Sequence, residues 1–408
     1  MIESRTLTSY AVPGHAPRLD AIHCLRGLAA LAVCLLHVSV ATTHHFPDSI
    51  TTIGNLGGFG VPVFFVISGF VVPLSLLGSG YTIRSFPRFV LRRVTRLDPP
   101  YFAVLALALL SAYAVRLMRD TPFPYRFSDV ALHVGYLTGL ASRPWIVSTF
   151  WTLGIEFQYY LLVGLALAVA LPIARRLTTP SWRGPILIGL LIAGFLLSSE
   201  AGRRLHALIT DTQMTATWFV FKNDFLLGTA ALIVWRARMS PLVLIAVGAL
   251  FFGVDGVEYW YYYRRLPNSP VILEWVTLVV IACLIVVAPT SWNWMRNGTG
   301  RAAAGLGTIS YSLYITHPLL TGHLVARLVE TGKAPTSLVG NWALVLVEVG
   351  LCVAAAAIFY WLVERPAWRW SRRLSIRPPD GSRAGARFRH ADGLSNTRKT
   401  EAPAIRPA

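Results

Sequence analysis

Arg26 and His37 stand eleven residues apart in the apolar run CLRGLAALAVCLLHVSV. Eleven residues make close to three turns of α-helix, so both side chains share one face about 16 Å apart. An ionisable group inside a bilayer costs roughly 2.5–3.5 kcal/mol on insertion scales. Such groups face a bundle interior and mark substrate paths or catalytic sites. Taken singly, Arg26 could snorkel to one membrane surface and His37 could be a satisfied polar residue near the other. As an aligned pair they offer an imidazole for proton or group transfer and a guanidinium for developing negative charge.

Further groups with chemistry in them follow along the chain. In SFPRFVLRRVTRLDPPY, Arg88, Arg92 and Arg96 recur every four residues with Arg93 beside them. One face of a short helix would then carry a guanidinium stripe, suited either to lipid headgroups or to the phosphates of a cytoplasmic ligand. WTLGIEFQYYLL places Glu156 and Gln158 about one turn inside the outer surface, where a carboxylate needs an arginine or histidine partner. In ISYSLYITHPLL, Ser310, Tyr314 and His317 fall on one helical face, with Pro318 loosening the helix after them. Lys222, Asn223 and Asp224 lie together in another apolar stretch, where lysine and aspartate can neutralise each other, and Glu274 in a further one. Glu364-Arg365-Pro366 reads as an interfacial ion pair with a helix stop. GVPVFFVISGF is not a nucleophile elbow, because Val66 rather than glycine stands two before Ser68. Its glycines read as helix-packing residues.

The elements that must position these groups are membrane helices. The chain is 54% hydrophobic and 14% charged, against about 25% charged in soluble proteins. Mean hydropathy is +0.55. The net charge of +18 would suggest nucleic acid in a soluble chain. Here the arginines sit in short loops and a tail, as positive-inside retention requires, and no nucleic-acid partner is expected. Cys24, Cys34, Cys283 and Cys352 have no metal-ligand spacing and read as small buried hydrophobes, so no metal is expected.

Hydropathy predicts an all-α polytopic membrane protein of about ten spans. They run Leu25–Ala41, Leu56–Leu77, Tyr101–Met118, Trp151–Leu171, Pro185–Ser199, Thr215–Trp235, Pro241–Val257, Pro270–Ala288, Gly305–Leu328 and Leu338–Val363. Pro185–Ser199 is short, and Ala131–Leu140 reads as re-entrant or interfacial. The arginine distribution puts both termini in the cytoplasm. Residues 1–20 form an N-terminal cytoplasmic segment, 21–370 the membrane domain, and 371–408 a basic tail expected to be disordered.

LRGLAALAVCLLH, GVPVFFVISGF, RFVLRRVTRLDPPY, WTLGIEFQYYLL, ISYSLYITHPLL and VERPAW, in that order, resemble the bacterial acyltransferase-3 family of integral membrane O-acyltransferases. The resemblance covers nearly all of the chain before the tail. It implies that Arg26 and His37 form the family's Arg-x10-His signature and that Arg93 and Arg96 belong to its cytoplasmic arginine motif. Trp151, Glu156 and Tyr160 stand at its Trp…Glu…Tyr positions. His23 replaces an acidic residue common three before the arginine, and Phe157 replaces a second glutamate. Both departures are expected to touch acceptor detail more than the reaction. About forty-five residues follow the last span, too few for the SGNH hydrolase-like domain some members carry, so a standalone membrane domain is expected.

The family transfers an acyl group, usually acetyl from acetyl-CoA, to a hydroxyl of a carbohydrate or related acceptor. The resemblance therefore implies a bacterial inner-membrane enzyme whose partners are an acyl-CoA donor, a carbohydrate or glycolipid acceptor and membrane lipid. No permanently bound cofactor is expected. The expected catalytic residues are His37, as general base or acyl carrier, Arg26, stabilising oxyanion charge or holding the thioester, and Glu156 orienting His37. Arg88, Arg92, Arg93 and Arg96 would hold the donor's phosphates. Ser68, Trp151, Tyr160, Tyr314 and His317 would contact substrate, with His317 positioning the acceptor beside Tyr314. Two other readings stay open: a transporter or flippase, against which the lack of internal repeats counts, and acylation of a macrolide-like small molecule.

Overall fold

The computed structural model describes residues 20–41, 45–77, 81–177, 183–263, 267–287 and 298–374. The first nineteen residues and the basic tail from Ser375 onward, both assigned above from sequence, lie outside them. Among the described residues the secondary structure is entirely helical. Eight helical stretches are long and apolar enough to cross a membrane, so the chain is an integral multi-pass membrane protein.

The first apolar run forms α1 (Asp20–Val40). A short α2 (Asp48–Asn55) leads through a 3₁₀ turn into α3 (Gly60–Leu77). The next element, α4 (Phe86–Arg119), corrects the sequence reading. The arginine stripe is not a separate short helix ahead of the third span; it is the first part of one 34-residue helix that passes through Pro99 and Pro100. Two missing N–H groups weaken this turn. Neighbouring side chains tie it down: Tyr311 donates to the Leu97 carbonyl at 2.9 Å, and Tyr136 donates to Asp98 at 2.9 Å.

A short amphipathic α5 (Phe127–Val134) precedes α6 (Phe150–Leu177). The stretch expected at Pro185–Ser199 is longer than its hydropathy implied: α7 runs Arg183–His206. After one turn of α8 (Asp211–Thr215) come α9 (Lys222–Ala237), α10 (Leu242–Tyr263) and α11 (Ser269–Val287).

The span expected at Gly305–Leu328 is broken. α12 (Gly298–Thr316) stops where His317-Pro318-Leu319 tightens into a 3₁₀ turn, and the chain reverses at Gly322 (φ 86°) into α13 (His323–Glu330). Proline cannot donate the bond that would continue the helix, and the left-handed φ suits only glycine well. The buried Glu348 of α14 (Leu338–Phe359) accepts the Gly322 N–H at 2.6 Å and fixes the corner. Glu364-Arg365-Pro366 is likewise no helix stop. α14 continues through a π turn, Tyr360–Glu364, into α15 (Arg365–Arg373). Pro366 sits in the first turn of the new helical register, where a missing N–H costs no intrahelical hydrogen bond.

Among the described residues the core falls into four apolar clusters, two of which frame the polar groups considered below. One is built by α3, α7, α9, α10 and α11 around Phe70, Phe195, Leu227, Phe251 and Leu278. The other joins α1, α4, α6 and α12 around Val33, Tyr101, Phe150, Tyr311 and Tyr314. Close helix approach in the second depends on Gly27 and Gly307. A Cβ on Gly307 would collide with the His23 carbonyl of α1, and one on Gly27 with the backbone of α12. Absent side chains let these backbones meet. That contact sets α1 and α12 side by side along their length.

Candidate active site

Because α1 and α12 run in contact, residues 280 positions apart in sequence become neighbours. His37 Nδ1 lies 3.1 Å from His317 Nε2, with ring centroids 4.9 Å apart. His37 Nδ1 is also 2.9 Å from the Val33 carbonyl, and His317 Nδ1 is 2.8 Å from the Leu313 carbonyl. His317 is fully buried, whereas His37 is only half-buried. Tyr314 stands edge-on to His317, and its hydroxyl shares a hydrogen bond of 2.8 Å with Thr152 of α6.

One turn further along α6 comes a second group of polar side chains. Glu156 Oε1 accepts from Ser68 of α3 at 2.7 Å and from the Tyr160 hydroxyl. Arg26 of α1 lies within electrostatic reach of Glu156, Tyr160, Glu364 and Arg96. Arg93 reaches inward from α4, donating to Ser75 at 3.2 Å and resting its guanidinium 5.1 Å from the Tyr160 ring. Arg93, Asp98, Tyr136, Glu156, Tyr160 and Tyr311 line a small cavity here. Among the described residues, Arg26, Arg93, Arg96 and Glu156 make no salt bridge. Glu156 is held by hydroxyls, each such charge-assisted bond stabilising by about 1.5–3 kcal/mol, and the guanidiniums keep their donors for another anion.

The residues singled out in sequence therefore separate into groups. Ser68, Tyr160, Glu156, Arg26, Arg93 and Arg96 converge. His37, Tyr314 and His317 form the adjoining group. Glu156 was expected at His37; among the described residues no hydrogen bond joins them, and the imidazole's neighbour is His317. Arg92 lies within electrostatic reach of Arg96 and Arg372 and does not line the cavity, Arg88 is half-buried nearer the helix start, and Trp151 packs on the Phe221 ring at 5.5 Å. Phe157, which stands where a second glutamate is common in the family resembled above, stacks on Tyr136 at 4.8 Å and walls the cavity.

Sequence reading missed Thr152, Asp98 and Tyr136, and it placed Glu364 in an interfacial ion pair, whereas Glu364 accepts from the Ser312 backbone N–H at 3.1 Å and from its hydroxyl. A polar residue at i, i+4 from Glu156, as Thr152 is, was the signal available for the first. Tyr136 carried no such signal, because it stands in the turn after α5 and its partner Asp98 lies on α4.

The sequence model of the acyltransferase-3 acyltransferase domain matches residues 19–364. The chain belongs to the acyltransferase-3 family. The match takes in every helix of the two groups just described. Two Staphylococcus aureus relatives with O-acetyltransferase in their names are similar to it. One, from strain COL, is 25% identical over 393 residues, covering 90% of this chain and 59% of the relative. The other, O-acetyltransferase OatA of strain NCTC 8325 / PS 47, is 24% identical over 383 residues, covering 87% and 57%. This acyltransferase-3 chain thus spans less than two thirds of their length. Nodulation protein 10 of Rhizobium leguminosarum bv. viciae is 25% identical over 357 residues, covering 78% of the chain and 85% of that protein. No solved structure matches the chain significantly.

Proposed function

We propose that the chain is an O-acyltransferase of the bacterial cytoplasmic membrane. It moves an acyl group, acetyl in the simplest case, from acyl-CoA to a hydroxyl of a carbohydrate or related acceptor, with both termini in the cytoplasm. The observation that carries this reading is the convergence of Arg26, Arg93 and Arg96, without salt-bridge partners among the described residues, beside a half-buried imidazole in an acyltransferase-3 fold. Guanidiniums held this way fit the phosphates of a CoA thioester.

In this mechanism His37 takes the acceptor's hydroxyl proton as the oxygen attacks the thioester carbonyl. As the tetrahedral intermediate collapses, the C–S bond breaks and the thiolate takes the proton back from the imidazolium; Arg26, about 16 Å along α1 from His37, holds the donor. Ser68 and Tyr160 hold Glu156 in place, so its charge balances the arginines when no donor is bound. Tyr136, Phe157 and Tyr311 give the cavity apolar walls that exclude water.

The test is thiol release from acetyl-CoA by the purified protein in proteoliposomes. Release that depends on His37 and Arg26 supports the reading; a His37→Ala variant that inserts normally and releases thiol at the wild-type rate overturns it.

A further inference from the structure

We infer that His317 is a positioning residue, holding His37 in the tautomer with its proton on Nδ1 and its lone pair on Nε2. The inference rests on the reading of His37 as the base, and it gives His317 a part other than touching the acceptor.

The assignment follows from which atoms can only accept. A backbone carbonyl has no proton to give. His317 Nδ1, 2.8 Å from the Leu313 carbonyl, must therefore carry the proton of that ring, which leaves Nε2 as a lone pair. That lone pair points at His37 Nδ1 from 3.1 Å, and the Val33 carbonyl faces the same atom from 2.9 Å. Two acceptors aimed at one nitrogen require an N–H there. In the opposite tautomer three lone pairs would meet in a buried space, where nothing else relieves them. Nε2 of His37 is then the free basic nitrogen, on the ring that is only half-buried.

Val33 alone would hold this arrangement weakly. In an α-helix its carbonyl already accepts the backbone N–H of residue 37, so His317 supplies the acceptor not otherwise engaged. His317 is itself fixed, being fully buried and confined by the 3₁₀ turn through Pro318. Once His37 has taken a proton, Nδ1–H···Nε2 becomes a charge-assisted bond. The same contact thus aims the base and supports its charged form.

The experiment uses full-length protein with ¹⁵N-labelled histidine in nanodiscs, with His37 assigned by comparison with His37→Ala. In the wild type, His37 Nδ1 should show the protonated and Nε2 the unprotonated nitrogen shift. His317→Phe keeps the ring volume but has no acceptor. It should give mixed tautomers at His37 and lower kcat for thiol release from acetyl-CoA about ten- to a hundredfold, the range for losing a hydrogen bond to a charged group, with KM little changed. His317→Gln offers a side-chain carbonyl and should retain the Nδ1–H form and most of the rate. A wild-type His37 protonated on Nε2, or a glutamine variant no better than phenylalanine, overturns the proposal. So does a phenylalanine variant that keeps both tautomer and kcat. The nitrogen shifts need no turnover, so they judge His317 even if His37→Ala stays active and the proposed reaction fails.

Discussion

Two buried polar clusters sit in this molecule and treat charge in opposite ways. On the side of α7, α9 and α10, Lys222 is only 5% exposed and meets Asp255 at 3.3 Å and Glu258 at 3.8 Å. Asn223 also donates to Asp255, and Arg203 reaches Glu258 at 3.1 Å. Lys222, Arg203, Asp255 and Glu258 each meet an opposite charge there, whereas Asp224, expected to neutralise Lys222, is buried and makes no salt bridge among the described residues. On the side of α1, α4, α6 and α12, Glu156 is held by Ser68 and Tyr160 while the arginines lie near it without pairing among the described residues. Closed ion pairs leave a ligand nothing to bind. Side chains held by neutral hydroxyls keep their charge for a substrate. A buried charge is a functional candidate in proportion to how little of it the protein itself neutralises.

The largest effect that would sharpen this contrast is on rate. His37→Ala should lower acyl transfer about 10²–10⁴-fold, as loss of a general base does, with thermal stability nearly unchanged. The reverse pattern is expected at Lys222. Replacing it with methionine strands the Asp255 carboxylate and leaves Glu258 only Arg203, and should cost roughly 3 kcal/mol of stability, read by thermal unfolding in detergent, while donor affinity stays the same. Adding Asp255→Leu should recover part of that loss. A Lys222→Met protein that is stable but inactive would erase the distinction between the clusters.

Intermediate effects come from Arg93 and Gly307. Arg93→Ala should weaken acyl-CoA binding about tenfold or more, the value of a charge-assisted bond. Lysine should rescue it in part, since it keeps the charge and loses the planar fork. Equal affinity in all three proteins, by calorimetry with acetyl-CoA, would return the stripe to a headgroup role. Gly307→Ala forces α12 away from the His23 carbonyl and should cost about 1–3 kcal/mol, with activity falling because His37 and His317 separate.

The smallest effect lies outside the spans. His133 accepts the Ile146 N–H at 3.0 Å through Nε2 and bonds the Asp129 carbonyl at 2.7 Å through Nδ1, an arrangement open only to the neutral ring. Burial pushes its pKa below the ordinary histidine value. The unfolded chain therefore binds this proton first, and stability falls as pH drops below about 6.5. Hydrogen exchange of α5 should speed up on acidification, and His133→Gln should flatten that dependence.

What the amino-acid sequence determined by itself is local. Apolar runs of membrane length, the shared face of Arg26 and His37, the inward charges at Glu156 and Lys222, and the six motifs all follow from composition and a period of 3.6 residues. The tertiary structure decided which faces meet. Periodicity says nothing about the rotation of one helix against another or their relative depth. Those depend on close contacts such as Gly27 with Gly307, which bring His317 rather than Glu156 to His37. It also decided where helices continue or break. Pro99 and Pro100 lie inside α4 because neighbours hold that turn, whereas Pro318 ends α12 because Gly322 and Glu348 stabilise the corner beyond it. A proline's effect on a helix depends on which partners take up the backbone groups around it, and those partners came here from other helices.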